Sequence, residues 1–185
     1  MHKIQQPYQI VLTGGPGMGK TSIITELATQ GYTCIPEIGR QIIRQQMASQ
    51  GLILPWKAPM SFAMAMYKQA VLDYQYYTKN SDNSVLFFDR GIPDVMGYLN
   101  LCGLKVPKQV YNSCRQYRYF KKVFLTPPWE EIYSNDTERT QTFSEAVATY
   151  EMMYQVYGSL GYTLIEIPKL TVAERSQFIL TALGQ

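Results

Sequence analysis

The sequence predicts an α/β domain in which a five-stranded parallel sheet carries helices on both faces. Short apolar runs alternate with longer segments whose apolar residues recur at helical spacing, the pattern of repeated strand–helix–strand units. The length, 185 residues, suits one compact domain, and a composition of 46% hydrophobic and 17% charged residues is that of a folded chain. We therefore expect a single domain over residues 1–185, with its functional edge at the carboxyl ends of the strands.

The expected elements are bounded by glycine, proline or charged residues. The strands are expected at residues 8–13, 32–36, 85–88, 123–126 and 162–167. The third is apolar throughout, as expected for a central strand buried on both faces. The helices are expected at residues 20–30, 37–50, 61–79, 93–101, 105–119, 144–159 and 171–183.

Composition argues against several classes of function. A net charge of +3 is too small to indicate a nucleic-acid partner. The basic and aromatic stretch at residues 115–122 is interpreted as cover for the sheet edge rather than a nucleic-acid surface. No apolar run approaches the length of a membrane span, and residues 1–7 lack the apolar core of a signal peptide. We expect a cytoplasmic protein with no nucleic-acid or membrane partner.

The sequence offers few residues for cysteine or histidine chemistry. The three cysteines, Cys34, Cys102 and Cys114, are widely spaced and form no Cys-x-x-Cys pair, which predicts reduced, structural thiols. The only histidine, His2, lies at a terminus. Histidine-based nucleophilic catalysis and zinc chemistry are therefore not expected.

A glycine-rich loop follows the first expected strand. Residues 14–21 read Gly-Gly-Pro-Gly-Met-Gly-Lys-Thr, the Walker A pattern, whose glycines let backbone N–H groups surround a phosphate. The next helix adds the positive end of its dipole, Lys20 is expected to reach the β- and γ-phosphates, and Thr21 to coordinate Mg²⁺. ATP and Mg²⁺ are the predicted cofactors. The predicted nucleotide-binding residues are Gly14, Gly15, Pro16, Gly17, Met18, Gly19, Lys20, Thr21 and Ser22.

Acidic residues follow two of the other expected strands. Asp89 stands at the Walker B position, where a carboxylate orients water on Mg²⁺ or accepts a proton; a helix N-cap ahead of residues 92–93 is the alternative. Glu37 lies on the same edge and is a candidate general base, with Arg40 one turn on as a candidate acceptor anchor. A surface ion pair between Glu37 and Arg40 is the alternative.

Two further arginines are candidate cationic clamps. Arg90 would either neutralise phosphate or pair with Asp94. Arg139 lies in the polar segment 135–140, where it would stabilise charge on the transferring group, as an arginine supplied in cis does; a solvated helix start is the alternative. The predicted catalytic residues are thus Lys20, Asp89, Glu37 and Arg139, and the predicted metal ligands Thr21 and Asp89.

An acceptor site is expected beside the phosphate loop. A helical insert at about residues 38–82, with Trp56 and Tyr67, would form the acceptor pocket, and a segment at about 130–142 would act as a lid. The predicted substrate-binding residues are Arg40, Trp56 and Arg90.

With these residues assembled, the chain resembles the NadR-type AAA family of P-loop proteins, which are similar to nucleoside and nucleotide kinases. The resemblance covers nearly the whole chain and rests on residues 14–21, 36–40, 88–94, 124–133 and 136–139. It implies a P-loop NTPase three-layer sandwich with sheet order 2-3-1-4-5, ATP binding, and an acid and an arginine after strands two and three, here Glu37, Asp89 and Arg90. Folds of this kind usually hold the adenine after the last strand, here at residues 168–171. A ring motor is not expected, because 185 residues leave no room for the sensor subdomain of larger AAA machines.

The first functional hypothesis is an ATP-dependent phosphotransferase for a small hydroxylated, nucleoside-like acceptor. A nucleotide-dependent regulatory binding module and a simple ATPase with slow hydrolysis are the alternatives. Guanine preference is disfavoured because residues 78–81, Thr-Lys-Asn-Ser, lack the aspartate of a base-reading motif. The expected partners are therefore ATP and a small-molecule acceptor.

Overall fold

The computed structural model describes residues 8–81, 85–133 and 141–184, and within them strands alternate with helices. The strands are β1 (Tyr8–Gly14), β2 (Thr33–Ile35), β3 (Val85–Asp89), β4 (Lys122–Thr126) and β5 (Thr163–Glu166). The helices are α1 (Lys20–Thr29), α2 (Ile38–Ala48), α3 (Pro59–Asn80), α4 (Ile92–Leu101), α5 (Lys108–Gln116), α6 (Phe143–Ser159) and α7 (Val172–Leu183). Residues Glu130–Ile132 form a single 3₁₀ turn.

The strands form one parallel sheet in the order β2-β3-β1-β4-β5, which confirms the predicted fold. β1 is central, and its Leu12 lies level with Asp89 of β3 on one side and Phe124 of β4 on the other. All four strand pairs are parallel, so the carboxyl ends of the strands meet at one edge of the sheet.

Alternate residues of the strands face two separate cores, since successive side chains of a strand point to opposite faces. Val11 of β1 and Phe88 of β3 pack against α3, α4, α5 and α6. Ile10, Leu12 and Phe87 pack against α1 and α7 on the other face. The helices that follow β1 and β3 therefore lie on opposite faces, which opens a crevice between those strand ends, the usual ligand position in such sheets.

Two helix starts differ from the prediction by more than one residue, and both differences involve prolines. α3 begins at Pro59, two residues before the predicted start, and proline is well suited to the first helical position. α5 begins at Lys108, where residues 105–119 were expected to be helical. Pro107 is extended, with φ −61° and ψ 142°, and so stands before the helix rather than within it.

The insert between β2 and β3 consists of α2, α3 and the connection between them. Ile43, Leu54 and Phe62 form a small apolar cluster inside this insert. Tyr98 of α4 packs against the cluster, and its ring meets that of Phe62 edge-on with centroids 5.5 Å apart. The insert is therefore packed against α4, at the carboxyl edge of the sheet.

The three cysteines are free thiols, as predicted. Burial raises the pKa of Cys34 to about 11 and that of Cys114 to about 12, which keeps both thiols protonated and unreactive. Cys102, at the end of α4, is exposed. None of the described helices is long and apolar enough to span a membrane.

Candidate active site

The phosphate-binding loop joins β1 to α1 and has the backbone conformation that its glycines permit. Gly14, Gly17 and Gly19 have φ values of 130°, 71° and 76°, a region in which residues with a Cβ are strained. Gly19 is the N-cap of α1, and no side chain caps the helix. The first amides of α1 therefore remain available to an anion at the loop.

Lys20 lies inside this loop. Its side chain is buried, and its ammonium donates to the carbonyl oxygens of Gly15 at 2.5 Å and Gly14 at 3.4 Å. Thr21 and Ser22 follow in the first turn of α1, where both are exposed. Lysine, hydroxyl and amide groups are thus gathered around the loop.

The loop is held in place by elements from distant parts of the chain. A Cβ at Gly15 would lie 2.3 Å from the backbone oxygen of Ala146 in α6, so the helix contacts the loop where a side chain would be. Met18 is buried, and its sulfur accepts a hydrogen bond from the Trp129 amide at 3.3 Å. Gly15 and Met18 were predicted only as nucleotide-binding residues. They also pack the loop against α6 and the segment after β4.

Asp89 and Glu37 both lie at the carboxyl edge of the sheet. Asp89 is the last residue of β3 and is buried, level with Leu12 of β1. It is not a helix N-cap, the alternative that the sequence left open, because Gly91 takes that position in α4. Glu37 is the N-cap residue of α2, two positions after the end of β2.

Arg90 contacts residues from three parts of this edge of the sheet. Its Nε lies 3.1 Å from Oε1 of Glu37, and its Nη1 lies 3.0 Å from Oδ1 of Asp94 and 3.1 Å from the Gly14 carbonyl. Of the two alternatives for Arg90, the pair with Asp94 is therefore present, and Arg90 also forms an ion pair with Glu37. Burial alone would lower the pKa of Arg90, but the carboxylates of Glu37, Asp94 and Asp89 outweigh it and raise this pKa.

Asp94 is a buried acceptor to which the sequence assigned only the pair with Arg90. Its Oδ1 also accepts from the Thr13 hydroxyl at 2.5 Å, and its Oδ2 accepts from the Tyr157 hydroxyl at 2.6 Å and the Gly91 amide at 2.8 Å. Burial and this carboxylate together raise the pKa of Tyr157 well above its usual value. The position of Asp94 at the start of a helix could have indicated its hydrogen bond to the Gly91 amide. Its contacts with β1 and α6 depend on the tertiary fold and leave no signal in the local sequence.

A cavity of about 390 Å³ opens at the loop, between the insert on one side and α4 and α6 on the other. Its lining includes Pro16 of the loop and five of the predicted site residues: Glu37, Arg40, Trp56, Asp89 and Arg90. Tyr67 is not among the lining residues, contrary to the expectation that it would help form the pocket. Its hydroxyl lies 2.9 Å from that of Ser113, so it faces α5 instead.

Arg175 of α7 is a second residue that sequence reasoning missed. A Cβ at Gly19 would lie 2.7 Å from Nη1 of Arg175, and the guanidinium carbon lies 5.5 Å from the centre of the Trp129 ring. The side chain is 5% exposed, and burial lowers its pKa. Among the described residues, no carboxylate forms an ion pair with it. A buried guanidinium thus lies beside the phosphate loop.

The remaining predicted positions belong to the lid and to the loop after β5. Arg139 and the rest of segment 134–140 lie outside the described residues. In the loop after β5, Thr171 caps α7, where its hydroxyl accepts from the Glu174 amide. The first turn of α7 that follows this cap includes Arg175, which lies beside Gly19 of the loop.

The donor set at the loop is compatible with Mg²⁺ held together with phosphate oxygens. Thr21 offers a hydroxyl and Asp89 a carboxylate, and Mg²⁺ typically takes one or two protein ligands, with water and substrate phosphates completing its shell. Among the described residues no cluster of three or more His, Cys, Asp or Glu side chains is present that could hold an ion by itself. The residues therefore fit a metal that arrives with its nucleotide.

A Walker A loop between the first strand and helix of a sheet ordered 2-3-1-4-5 defines a P-loop protein of the kinase-like type. The AAA domain family matches residues 9–175, and the chain belongs to this family. No curated protein sequence matches the chain.

Solved structures of low sequence identity share the fold. A deoxyadenosine kinase from M. mycoides, with dCMP and dCDP bound, is 14% identical with a TM-score of 0.67, and the match covers 95% of this chain and 98% of that one. NadR in complex with NR is 15% identical with a TM-score of 0.69, over 97% of this chain and 52% of NadR. Shikimate kinase from Acinetobacter baumannii, in complex with shikimate, is 14% identical with a TM-score of 0.59, over 97% and 94% of the two chains.

Proposed function

We propose that the protein binds Mg-ATP in the loop formed by residues 14–22 and transfers the γ-phosphate to a hydroxyl group of a small acceptor in the adjacent cavity. The observation that carries this proposal is the shared lining of loop and cavity: Pro16 belongs to both, and Glu37 and Asp89 lie at their junction. A donor phosphate and an acceptor hydroxyl would meet there. Nucleosides are one acceptor class to test, in keeping with the kinase-like fold.

The proposed chemistry needs positioning and charge neutralisation more than covalent help. The amides at the start of α1 and the Lys20 ammonium hold the phosphates, and Lys20 exchanges its present carbonyl partners for phosphate oxygens. Thr21 and Asp89 would hold Mg²⁺, which neutralises charge on the β- and γ-phosphates when bound. Arg139 is proposed as a further cation at the transferring group.

Transfer forms a bond between the acceptor oxygen and the γ-phosphorus and breaks the bond from that phosphorus to the oxygen bridging it to the β-phosphate. ADP leaves with the electron pair of the broken bond. The proton of the acceptor hydroxyl passes to a carboxylate, for which Glu37 and Asp89 are the candidates at the junction. Arg90 holds Glu37 at 3.1 Å and so orients one of these two bases. Arg40 and Trp56 are proposed to contact the acceptor.

Comparable folds support this proposal by what their structures contain. One deoxyadenosine kinase structure from M. mycoides, 15% identical to this chain, has dATP bound, and one NadR structure, 14% identical, contains NAD and AMP-PNP. The shikimate kinase structure contains shikimate, a different small molecule. Acceptor chemistry therefore varies within this fold and has to be argued from the cavity of each protein.

The test measures ADP release by the full chain with Mg-ATP, alone and with a panel of nucleosides, nucleotides and pyridine ribosides. We expect release to depend on an acceptor and to be lost in Lys20→Ala, while Lys68→Ala, an exposed lysine of α3, keeps the activity. ADP release that is the same with and without acceptors would indicate an ATPase instead. Retained activity in Lys20→Ala would refute the proposal.

A further inference from the structure

The cavity beside the phosphate loop is lined along one face of α4. Six of its lining residues are spaced at three or four positions, or adjacent, along this stretch of chain, which places them on one side of the helix over roughly 16 Å. They are Gly91, Asp94, Val95, Tyr98, Leu101 and Cys102. Along this face of α4 the lining changes from charged side chains near the phosphate loop to apolar side chains at the far end.

The wall beyond the charged end is apolar and well packed. Phe62, Ala70, Val95 and Met153 line the cavity, and each is at most 5% exposed. At Gly39 a Cβ would lie 3.2 Å from the sulfur of Met66 and 4.0 Å from Oε1 of Glu37. The apolar wall therefore begins directly beside the Glu37 carboxylate.

Few polar groups of the described lining could pair with a polar ligand at this wall. The Thr149 hydroxyl donates to the Glu145 carbonyl at 2.8 Å, whereas the buried Tyr98 hydroxyl forms no hydrogen bond within the described residues and could pair with a ligand. Gln141 supplies the single amide side chain among the described lining residues, and it is exposed to solvent. A nucleobase placed against this wall would find the Tyr98 hydroxyl and the exposed Gln141 amide as partners, and leaving its other donors and acceptors unpaired would be costly.

The charged end favours a neutral group over an anionic one. Its described lining includes three carboxylates, those of Glu37, Asp89 and Asp94, and two guanidinium groups, those of Arg40 and Arg90. Arg90 is already paired with Glu37 and Asp94. A doubly charged phosphate on the acceptor would meet an excess of negative charge, whereas a hydroxyl needs a carboxylate as its base.

We propose that the acceptor is a neutral alcohol with an elongated apolar body, its hydroxyl at the Glu37 and Asp89 end and its body along the wall formed by α3, α4 and α6. This assignment rests on the proposed phosphotransfer for the placement of the hydroxyl, and it gives the acceptor a body unlike a nucleobase. Met66 and Met153 suit such a ligand, because flexible thioether side chains adapt to irregular apolar shapes.

The test measures binding without nucleotide, by calorimetry on the full chain. The probes are octan-1-ol, triethylene glycol, which is a polar alcohol of comparable length, and cytidine. We expect octan-1-ol to bind at least about tenfold more tightly than either polar probe. Tighter binding of cytidine, equal binding of the two alcohols, or no binding of octan-1-ol would overturn the assignment.

Two matched variants locate the binding. Met66→Gln places an amide in the wall and is expected to weaken the binding of octan-1-ol about tenfold. Met64→Gln is the control: Met64 is on the same helix and also half-buried but lies outside the lining, so binding should be unchanged. Equal effects of the two variants would contradict the assignment. A mass-spectrometric assay for octyl phosphate with Mg-ATP is separate: binding without phosphorylation would count against the proposed phosphotransfer and leave the assignment of the cavity in place.

Discussion

Asp94 shows how much of the site depends on single buried groups. Its two oxygens accept from Thr13, Arg90, Tyr157 and the Gly91 amide. These donors come from the end of β1, the residues just before α4 and the last turn of α6. One carboxylate therefore fixes the strand that leads into the phosphate loop relative to a helix that lines the cavity.

We predict that Asp94→Asn lowers the free energy of unfolding by about 3 kcal/mol, because an amide nitrogen would face hydrogen-bond donors and Arg90 would lose an ion-pair partner. Chemical denaturation measures the change. Asp73→Asn is the control, since that carboxylate accepts from Gln69 in an exposed pair on α3, and it should change stability by less than about 0.5 kcal/mol. Equal losses in the two variants would contradict the role assigned to Asp94.

Arg175 is expected to contribute to nucleotide binding more than to folding. It is buried beside Gly19, and among the described residues no carboxylate forms an ion pair with it. Arg175→Met keeps the contact with Trp129 and removes the charge, so stability should stay within about 1 kcal/mol while the affinity for Mg-ATP falls about tenfold. Denaturation and calorimetry test the two effects. A large loss of stability with unchanged ATP affinity would show a structural role instead.

Sequence reasoning located the residues that act through local backbone geometry and missed those that act across the fold. The loop at residues 14–21 could be predicted because its glycine spacing follows from phosphate geometry within one turn of chain. Arg175 carried no such signal, since its nearness to Gly19 requires α7 to pack beside α1. Tyr67 was misplaced for the same reason: helical spacing did not show whether it faces the cavity or Ser113.

At the scale of elements, the contact between α6 and the phosphate loop explains a glycine that the motif does not require. Gly15 lies between the motif glycines, and a Cβ there would lie 2.3 Å from the Ala146 backbone oxygen. Neither backbone can move without displacing a strand end or a helix. The position of the loop is thus determined by α6 as well as by β1 and α1.

Gly15→Ala is accordingly expected to lower the free energy of unfolding by about 1–3 kcal/mol, the usual cost of overpacking, and to weaken Mg-ATP binding. Gly158→Ala, in α6 itself, is the control: its Cβ would find its nearest neighbour at 4.0 Å, and helix propensity should make this change stabilising by about 0.5–1 kcal/mol. Chemical denaturation of both variants measures these changes in the free energy of unfolding. A Gly15→Ala protein as stable as the parent would show that the loop and α6 can separate freely.

The elements themselves were largely predictable, and their ends less so. β3 and the helices around it follow from apolar runs and helical spacing, which are properties of the local sequence. The start of α5 was placed too early, because spacing alone does not reveal that Pro107 adopts an extended conformation. The sheet order came from the family resemblance, since parallel pairing between distant strands leaves no local pattern.

At the scale of the whole molecule, nucleotide binding should stabilise the fold. A ligand at one hundred times its dissociation constant adds about 2.7 kcal/mol, and for a domain of this length about 1 kcal/mol shifts the melting temperature by roughly 2–4 °C. We therefore expect Mg-ATP to raise Tm by roughly 5–10 °C in a single cooperative transition. Lys20→Ala should show no such shift. A nucleotide-independent Tm in the parent protein would contradict ATP binding.

The central position of β1 also has a consequence for how the protein is made. β1 is synthesised before β3 and β4, its hydrogen-bonding partners on either side, which pair with it through Val85 and Phe124. At ordinary rates of translation, on the order of 10 s pass before both partners exist. During that interval the nascent chain exposes Ile10, Val11 and Leu12 with both strand edges unpaired, so this segment is prone to aggregate until β3 and β4 are made.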